Sequence, residues 1–238
     1  MHPLLRETFA RHFVHVRDVP VPTLDYARSL GKVFEARPGD DTIVTMKIEG
    51  EDPEVTPYAS CRTAELSLHT DYATFPEPPQ FTITHCIEPD PRFPEFGRSI
   101  VILLDQMLKR LRTDEPALYH LLRTRPMPFR RNAEHDSYHA EVPAFTVLDD
   151  CDRVRFDSTL IVPTLEAGDL PDRAELIDAA LRFEDLCHTY GERVEVPLDR
   201  NGVLICDNRR VVHSRSSCTV ELRDGKLVSR EVNLAFLR

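Results

Sequence analysis

The sequence has few glycines and lacks a glycine-rich phosphate-binding loop. Its 238 residues include eight glycines against nineteen prolines, a balance that favours stiff, extended connections between strands. Nucleotide-binding α/β folds place a glycine-rich loop between a strand and the helix that follows it. Because the sequence has no such loop, we do not expect a nucleotide-binding α/β fold.

Long apolar runs are also missing. Hydrophobic residues make up 41% of the chain, which is enough for a sizeable core. No stretch approaches the ~20 consecutive apolar residues of a membrane-spanning helix. Residues 1–18 carry charges and histidines throughout and lack the apolar centre of a signal peptide. We therefore expect a cytoplasmic protein that does not interact with a membrane.

The six cysteines include no Cys-x-x-Cys pair. That absence excludes the usual spacings of structural zinc sites, and the chain length and expected compartment argue against a disulfide framework. The net charge of −10 argues against a nucleic-acid partner, because nucleic acids bind basic surfaces. We expect most of the cysteines to be small buried hydrophobic residues.

Short strand-like segments dominate the hydrophobic pattern. We predict strands at 42–48, 66–72, 81–87, 100–104, 144–148, 154–162, 194–197, 203–206, 211–214 and 227–237. Helical periodicity predicts helices at 3–13, 24–35, 105–112, 115–124 and 173–190. Many strands with a few added helices predict a mainly β fold with a β-sandwich or jelly-roll core. No linker or repeat divides the chain, so we expect one domain over 1–238, with a short helical part at about 1–40.

A candidate metal site begins in the segment 66–72, LSLHTDY. If this segment is a strand, the side chains of His69 and Asp71 project to the same face. A third ligand is available in His213, which alternation places on the face of Val211 and Arg215. Two histidines and one carboxylate, with the remaining metal positions open, are typical of non-haem Fe(II) oxygenases.

A second cluster has the same kind of spacing. His139 and Glu141 repeat the histidine-x-carboxylate pattern, and His135 lies four residues before His139. The surrounding segment 133–143 is polar and lacks strand-like apolar residues. We therefore predict a solvated loop there rather than a metal site.

The last strand-like segment carries an arginine inside an otherwise apolar face. Its alternating residues are Val228, Arg230, Val232, Leu234 and Phe236. A buried guanidinium group needs an anion. That anion is either a carboxylate of the same chain or the carboxylate of a ligand, which arginine binds through two parallel hydrogen bonds. Periodicity alone does not favour the internal carboxylate over the ligand carboxylate.

Four blocks taken together resemble one enzyme family. They are HTDYATFPEPPQFTITHCIEPDP, FGRSIVILLDQ, LYHLLRTRPMPFRR and DNRRVVHSRSS. They are similar, in order, to blocks of the Fe(II)/2-oxoglutarate-dependent dioxygenases of the taurine dioxygenase and γ-butyrobetaine hydroxylase (TauD/TfdA-like) superfamily. The resemblance implies a double-stranded β-helix in which His69, Asp71 and His213 hold Fe(II). It also implies 2-oxoglutarate and O2 as cosubstrates, with Ser99 and Arg230 binding 2-oxoglutarate.

The sequence departs from the family pattern around this arginine. The family often has a second arginine four residues after the first, and here that position is Leu234. The interval between His213 and Arg230 is also long, with a turn predicted at 223–226. Arg223 and Arg215 therefore remain alternatives for the residue that binds the distal carboxylate of 2-oxoglutarate.

The resemblance implies an enzyme that hydroxylates an unactivated C–H bond of a small molecule and releases succinate and CO2. Tyr58, Arg62 and Tyr72 flank the metal segment and suit a small polar or zwitterionic substrate, such as an amino acid or a derivative. Two alternatives belong to other classes. A β-sandwich binding protein would use the histidines structurally, and a cupin-like metal-dependent hydrolase would use them without 2-oxoglutarate.

Overall fold

Two packed antiparallel β-sheets form the centre of this computed structural model, which describes residues 1–35, 43–50, 59–130 and 142–238. The strands are β1 Phe13–Val16, β2 Val44–Lys47, β3 Leu66–His69, β4 Phe81–Glu88, β5 Ser99–Leu103, β6 Met127–Pro128, β7 Ala144–Phe145, β8 Glu192–Val196, β9 Val203–Asp207, β10 Val211–Arg215, β11 Val220–Arg223, β12 Lys226–Ser229 and β13 Glu231–Leu237. The helices are α1 Pro3–Arg11, α2 Thr23–Leu30, α3 Asp105–Asp114, α4 Pro116–Thr124, α5 Ser158–Ala167 and α6 Arg173–Tyr190.

The larger sheet has the strand order β1-β9-β4-β13-β2, and the smaller sheet has the order β3-β10-β5-β8. Neighbouring strands in both sheets are distant in sequence and antiparallel. Two further pairs, β11 with β12 and β6 with β7, stand apart from these sheets. The predicted mainly β fold with a jelly-roll core and added helices is confirmed.

Side-chain alternation divides the core into three layers. Between the two sheets, a cluster from both of them includes Cys86, Val101, Leu204, Val211 and Val232. On the outer face of the larger sheet, residues of β4, β9 and β13 pack against α1 and α2. On the outer face of the smaller sheet, residues of β5 and β10 pack against α3 to α6. The helices therefore cover the outer faces, and the space between the sheets remains for a site.

The prediction of a strand at 154–162 is wrong, because α5 occupies most of it. The carboxylate of Asp157 accepts a hydrogen bond from the backbone N–H of Thr159 at 3.0 Å and caps the helix. Ile161 and Leu165, one helical turn apart, are both fully buried. The β-branched residues of this segment favour a strand locally, but packing against the helical layer decides the outcome.

Other boundaries also differ from expectation. The predicted helix at 24–35 ends at Leu30, and the predicted strand at 144–148 is reduced to β7. The predicted helix at 3–13 ends at Arg11, because His12 adopts a left-handed conformation with φ of 70°. The chain then enters β1, a strand that was not predicted, which pairs with β9. The predicted strand at 227–237 is divided into β12 and β13, with Arg230 between them.

Some expected features lie outside the described residues. They are Tyr58 and the alternative histidine cluster at 135–141. Within the described ranges, none of the helices combines the length and the apolar character needed to cross a membrane.

Candidate active site

Two histidines face each other across neighbouring strands of the smaller sheet. β3 ends at His69, and its register with β10 places His69 opposite His213. The centroids of the two imidazole rings are 4.4 Å apart. His213 shares its face with Val211 and Arg215, which are both buried, as alternation along β10 predicts. The two rings therefore lie between the sheets.

Asp71 completes the group from a turn rather than from the strand. β3 ends before it, and the following Tyr72 has a positive φ of 54°. One carboxylate oxygen of Asp71 (Oδ2) lies 3.2 Å from Nε2 of His213. The other (Oδ1) lies 3.9 Å from Nε2 of His69. One candidate ligand atom from each of the three residues lies within 4.8 Å of the other two.

The turn is fixed by Asn208, a fully buried residue that the sequence analysis did not identify. The side-chain oxygen of Asn208 accepts a hydrogen bond from the backbone N–H of Asp71 at 2.8 Å. The side-chain nitrogen donates to the carbonyls of Asp71 at 3.0 Å and Pro79 at 3.1 Å. The carboxamide of Asn208 therefore supplies the hydrogen bonds to the backbone that strand pairing no longer supplies after His69. In the sequence, the position of Asn208 in the DNRRVVHSRSS block could have indicated this role.

The orientation of the His69 ring is also set by the backbone. Nδ1 of His69 lies 2.9 Å from the carbonyl oxygen of Ser67. Because a carbonyl can only accept a hydrogen bond, Nδ1 carries the proton and Nε2 keeps its lone pair. Nε2 is the atom that faces Asp71, so this tautomer is the one that a metal ligand requires.

The protonation states of the group suit a cation. Burial lowers the pKa of His69 below its ordinary value, and the neighbouring His213 lowers it further. Burial by itself raises the pKa of Asp71, but the electrostatic interaction and the hydrogen bond with His213 outweigh that effect and lower this pKa. A neutral imidazole and a carboxylate are the forms that bind metals. Among the described residues, no lysine or arginine forms an ion pair with Asp71, so a divalent cation fits this set.

A buried arginine lies deeper between the sheets. Arg230 is only 6% exposed, and its Nη2 donates a hydrogen bond to Oγ of Ser99 at 3.3 Å. Burial lowers the pKa of Arg230, an effect that the nearby thiol of Cys218 opposes. Within the described part of the chain, Arg230 forms no ion pair with a carboxylate. An internal salt bridge, one of the two expectations for this residue, is therefore not found there.

The two alternative arginines are engaged elsewhere. The guanidinium of Arg215 donates to the carbonyl oxygens of Ser216, Arg62 and Ala64 at 2.7 to 2.9 Å. Arg223 lies in the β11–β12 hairpin, where its side chain is 56% exposed and pairs with Glu221 at 2.8 Å. Of the three arginines, Arg230 has the guanidinium that suits an anionic ligand.

Gly97 makes room for this arginine. It has a positive φ of 67°, a conformation that glycine adopts without strain. A Cβ atom at this position would lie 2.8 Å from Cδ of Arg230 and 2.9 Å from Cβ of Asp90. The glycine of the FGRS block therefore permits the Arg230 side chain to lie beside Ser99.

The model of the taurine catabolism dioxygenase TauD, TfdA family matches residues 3–228 of this chain. The chain belongs to this family. Among curated relatives, the dioxygenase str8 of Strobilurus tenacellus is 28% identical over 153 residues, which is 63% of this chain and 34% of that protein. The γ-butyrobetaine dioxygenase of Pseudomonas sp. (strain AK-1) is 29% identical over 160 residues, or 64% of this chain and 39% of that protein. The chain thus matches less than two-fifths of either relative.

Solved structures agree with the TauD/TfdA fold. Asparagine oxygenase, in complex with Fe(II), (2S,3S)-3-hydroxyasparagine and succinate, superposes with a TM-score of 0.68 at 17% identity, covering 98% of this chain and 76% of that chain. The non-haem iron oxygenase OrfP, in complex with Fe and α-ketoglutaric acid, gives a TM-score of 0.60 at 20% identity, with coverage of 93% and 67%. At these identities the likeness shows a shared fold.

Two of the residues expected to contact substrate in this TauD/TfdA chain, Tyr72 and Arg62, lie in the described part of the structure. The Tyr72 ring packs edge-on against Phe34, Phe75 and Phe236, with centroid distances of 4.8 to 5.1 Å. Arg62 is half-buried, and its carbonyl supports Arg215. The structure therefore places Tyr72 in an aromatic cluster that extends from the turn after β3 to the end of β13.

Proposed function

We propose that this chain is an Fe(II)- and 2-oxoglutarate-dependent oxygenase that hydroxylates an unactivated C–H bond of a small polar or zwitterionic molecule and releases succinate and CO2. The observation that carries the proposal is the convergence of His69, Asp71 and His213 on one point between the sheets. Fe(II), bound with 2-oxoglutarate and O2, would supply the oxidising chemistry. The protein would bind and orient the reactants.

The triad would hold the metal through Nε2 of each histidine and the carboxylate of Asp71. Two nitrogen donors and one oxygen donor on one face match the ligand set of non-haem Fe(II) oxygenases, which keeps other positions open. The three side chains are between 15% and 18% exposed. They are thus shielded from bulk solvent but remain accessible to small reactants.

Arg230 and Ser99 would bind 2-oxoglutarate. A buried guanidinium without a carboxylate partner among the described residues favours a dianionic ligand, because burying an unpaired charge is costly. Its planar group can donate two parallel hydrogen bonds to the distal carboxylate. The hydroxyl of Ser99, already 3.3 Å from Nη2 of Arg230, would contribute a further contact.

An amino acid or an amino-acid derivative is the substrate class that the structural neighbours favour. Asparagine oxygenase was solved with (2S,3S)-3-hydroxyasparagine, and OrfP with (3S)-hydroxy-L-arginine. Both molecules are zwitterionic. We propose Arg62, Tyr72 and Tyr58 as residues near such a substrate, because they flank the metal turn in the sequence.

We further propose that residues 1–238 act as one domain. The N-terminal segment supports this view, because β1 pairs over four residues with β9, which is the neighbour of the central strand β4. Leu5, Ala27 and Leu30, from α1 and α2, are buried against the larger sheet. The N-terminal elements are thus part of the packed structure around the site.

The test uses metal-free protein under nitrogen. Fe(II) and 2-oxoglutarate are added, and the weak visible absorption of iron-chelated 2-oxoglutarate is recorded for wild type, His69→Ala and His120→Ala. His120 lies on the exposed face of α4 and serves as the control. We expect the absorption in wild type and His120→Ala and its loss in His69→Ala. Succinate release is then measured in air across the amino acids.

Other outcomes would favour the other classes. Metal binding without any effect of 2-oxoglutarate, together with activation by Zn(II) or Mn(II), would favour a metal-dependent hydrolase. The absence of metal binding in well-folded protein would favour a binding protein with structural histidines. Either result would overturn the proposed function.

A further inference from the structure

Thr82 approaches the candidate metal centre from the sheet opposite the two histidines. It lies on β4 of the larger sheet, whereas His69 and His213 belong to the smaller one. Its side chain is 4% exposed, and its Oγ1 donates a hydrogen bond to Oδ2 of Asp71 at 2.8 Å. The carboxylate is therefore held from both sheets.

The backbone and the carboxylate of Asp71 are fixed by different residues. The described contacts of Asn208 with Asp71 are to its backbone groups, so Asn208 does not fix the rotation of the Asp71 side chain. Among the described residues, the hydrogen bonds to the carboxylate come from Thr82 and His213. Since His213 is itself a candidate ligand, Thr82 is the residue that can orient the carboxylate without binding the metal.

We infer that Thr82 is a positioning residue that holds the carboxylate of Asp71 as a one-oxygen metal ligand. This inference rests on the proposed function. A carboxylate that binds through both oxygens would occupy a further position at the metal. The hydroxyl of Thr82 engages Oδ2 and opposes that arrangement, so more positions stay open for reactants.

The hydroxyl also fixes the carboxylate of Asp71 relative to the two imidazoles. Without this hydrogen bond the carboxylate can turn away from the point on which the three candidate ligand atoms converge. Groups that hydrogen-bond to metal ligands commonly change the metal affinity by about 10- to 100-fold. Loss of this hydroxyl should therefore weaken metal binding even in the absence of 2-oxoglutarate and substrate.

The experiment measures the binding of Co(II) alone to metal-free protein by the visible absorption of the bound ion. Thr82→Val removes the hydroxyl and keeps the shape, whereas Thr82→Ser keeps the hydroxyl. Thr84→Val is the matched control, because Thr84 lies two residues along the same face of β4 and has no hydrogen bond to the triad among the described contacts. Urea unfolding checks that each variant folds.

We expect Thr82→Val to bind Co(II) about 10- to 100-fold more weakly, with an altered absorption spectrum. Thr82→Ser and Thr84→Val should keep the affinity and spectrum of the wild type. Equal affinity and an equal spectrum in Thr82→Val would overturn the inference, as would an equal loss in Thr82→Ser. If Thr82→Val does not fold, Thr82→Ala removes the same hydroxyl and replaces it in the comparison.

His69→Ala separates this inference from the proposed function. If wild type and His69→Ala bind Co(II) equally, the triad is not the metal site and both proposals fail. If wild type binds more tightly than His69→Ala but Thr82→Val matches the wild type, the metal site stands and only the role of Thr82 is overturned.

Discussion

Nη2 of Arg230 lies 3.3 Å from Oγ of Ser99, although 131 positions separate the two residues in the sequence. The contact joins the start of β5 to the break between β12 and β13. It brings a buried positive charge beside a hydroxyl group within the described core. Ser99 also pairs in register with Arg215 on β10, so the contact lies on the strand next to the one that carries His213.

Arg230→Ala should weaken the binding of 2-oxoglutarate to the Fe(II) protein. A hydrogen bond to a charged group contributes about 1.5–3 kcal/mol, which corresponds to about a 10- to 150-fold higher dissociation constant. Anaerobic titration followed by the visible absorption measures this constant. Arg223→Ala is the matched control, because Arg223 lies on the exposed hairpin. An equal loss in both variants, or no loss in Arg230→Ala, would contradict the assignment.

Gly97→Ala should reduce both stability and 2-oxoglutarate affinity. A non-glycine residue at this φ costs about 1–3 kcal/mol, and the added Cβ would lie 2.8 Å from Cδ of Arg230. Gly225→Ala is the control, because Gly225 has a similar φ of 72° but no atom within 4 Å of an added Cβ. We expect Gly225→Ala to keep the wild-type affinity. If the two glycine variants bind 2-oxoglutarate equally well, Gly97 does not make room for Arg230.

Asn208→Asp should destabilise the fold and loosen the turn that holds Asp71. The aspartate side chain can still accept from the backbone N–H of Asp71, but it cannot donate to the two carbonyls that Asn208 contacts. Leaving buried polar groups unpaired costs about 1–3 kcal/mol each. The midpoint of urea unfolding and the hydrogen exchange of the Asp71 amide measure the change. Unchanged values for both would show that the carboxamide is dispensable.

His85 should make stability fall in mild acid. This histidine is 3% exposed, its Nδ1 lies 2.9 Å from Oγ1 of Thr23, and burial lowers its pKa below the ordinary value of about 6.5. When the pH falls below that value, the unfolded chain binds a proton that the folded protein excludes. The stability contribution is therefore full above about pH 6.5 and decreases as the pH falls toward the lowered folded pKa.

Urea unfolding of wild type and His85→Gln across this range isolates the effect of His85. The glutamine side chain can still hydrogen-bond to Thr23 but does not titrate. We expect the free energy of unfolding to fall less steeply in His85→Gln as the pH is lowered. Identical pH dependence in the two proteins would rule out His85 as the origin.

Elements with strong local periodicity were predictable from the sequence. The helix predicted at 173–190 is α6, with the same bounds, because its apolar residues repeat at helical spacing over five turns. The segment 158–167 was not predictable, because its β-branched residues favour a strand while its burial in the outer layer favours a helix. Local preference and tertiary packing agree in the first case and conflict in the second.

The sequence by itself determined the ligand types and the face on which several residues lie. Alternation along β10 placed His213 beside Val211 and Arg215, because a strand repeats every two residues whatever it packs against. The mainly β class followed from the same periodicity. These inferences depend only on residues that are close together in the sequence, so they do not require knowledge of the tertiary structure.

Only the tertiary structure decided which groups complete the site. It ended β3 before Asp71, and it assigned the support of that turn to Asn208 and of the carboxylate to Thr82. Among the described residues, it left Arg230 without a carboxylate partner, whereas Arg215 donates to backbone carbonyls. Each result depends on hydrogen bonds between segments that are distant in the sequence. Because a short sequence window fixes the direction of a side chain but not what it meets, these partners were set by the packing of the two sheets.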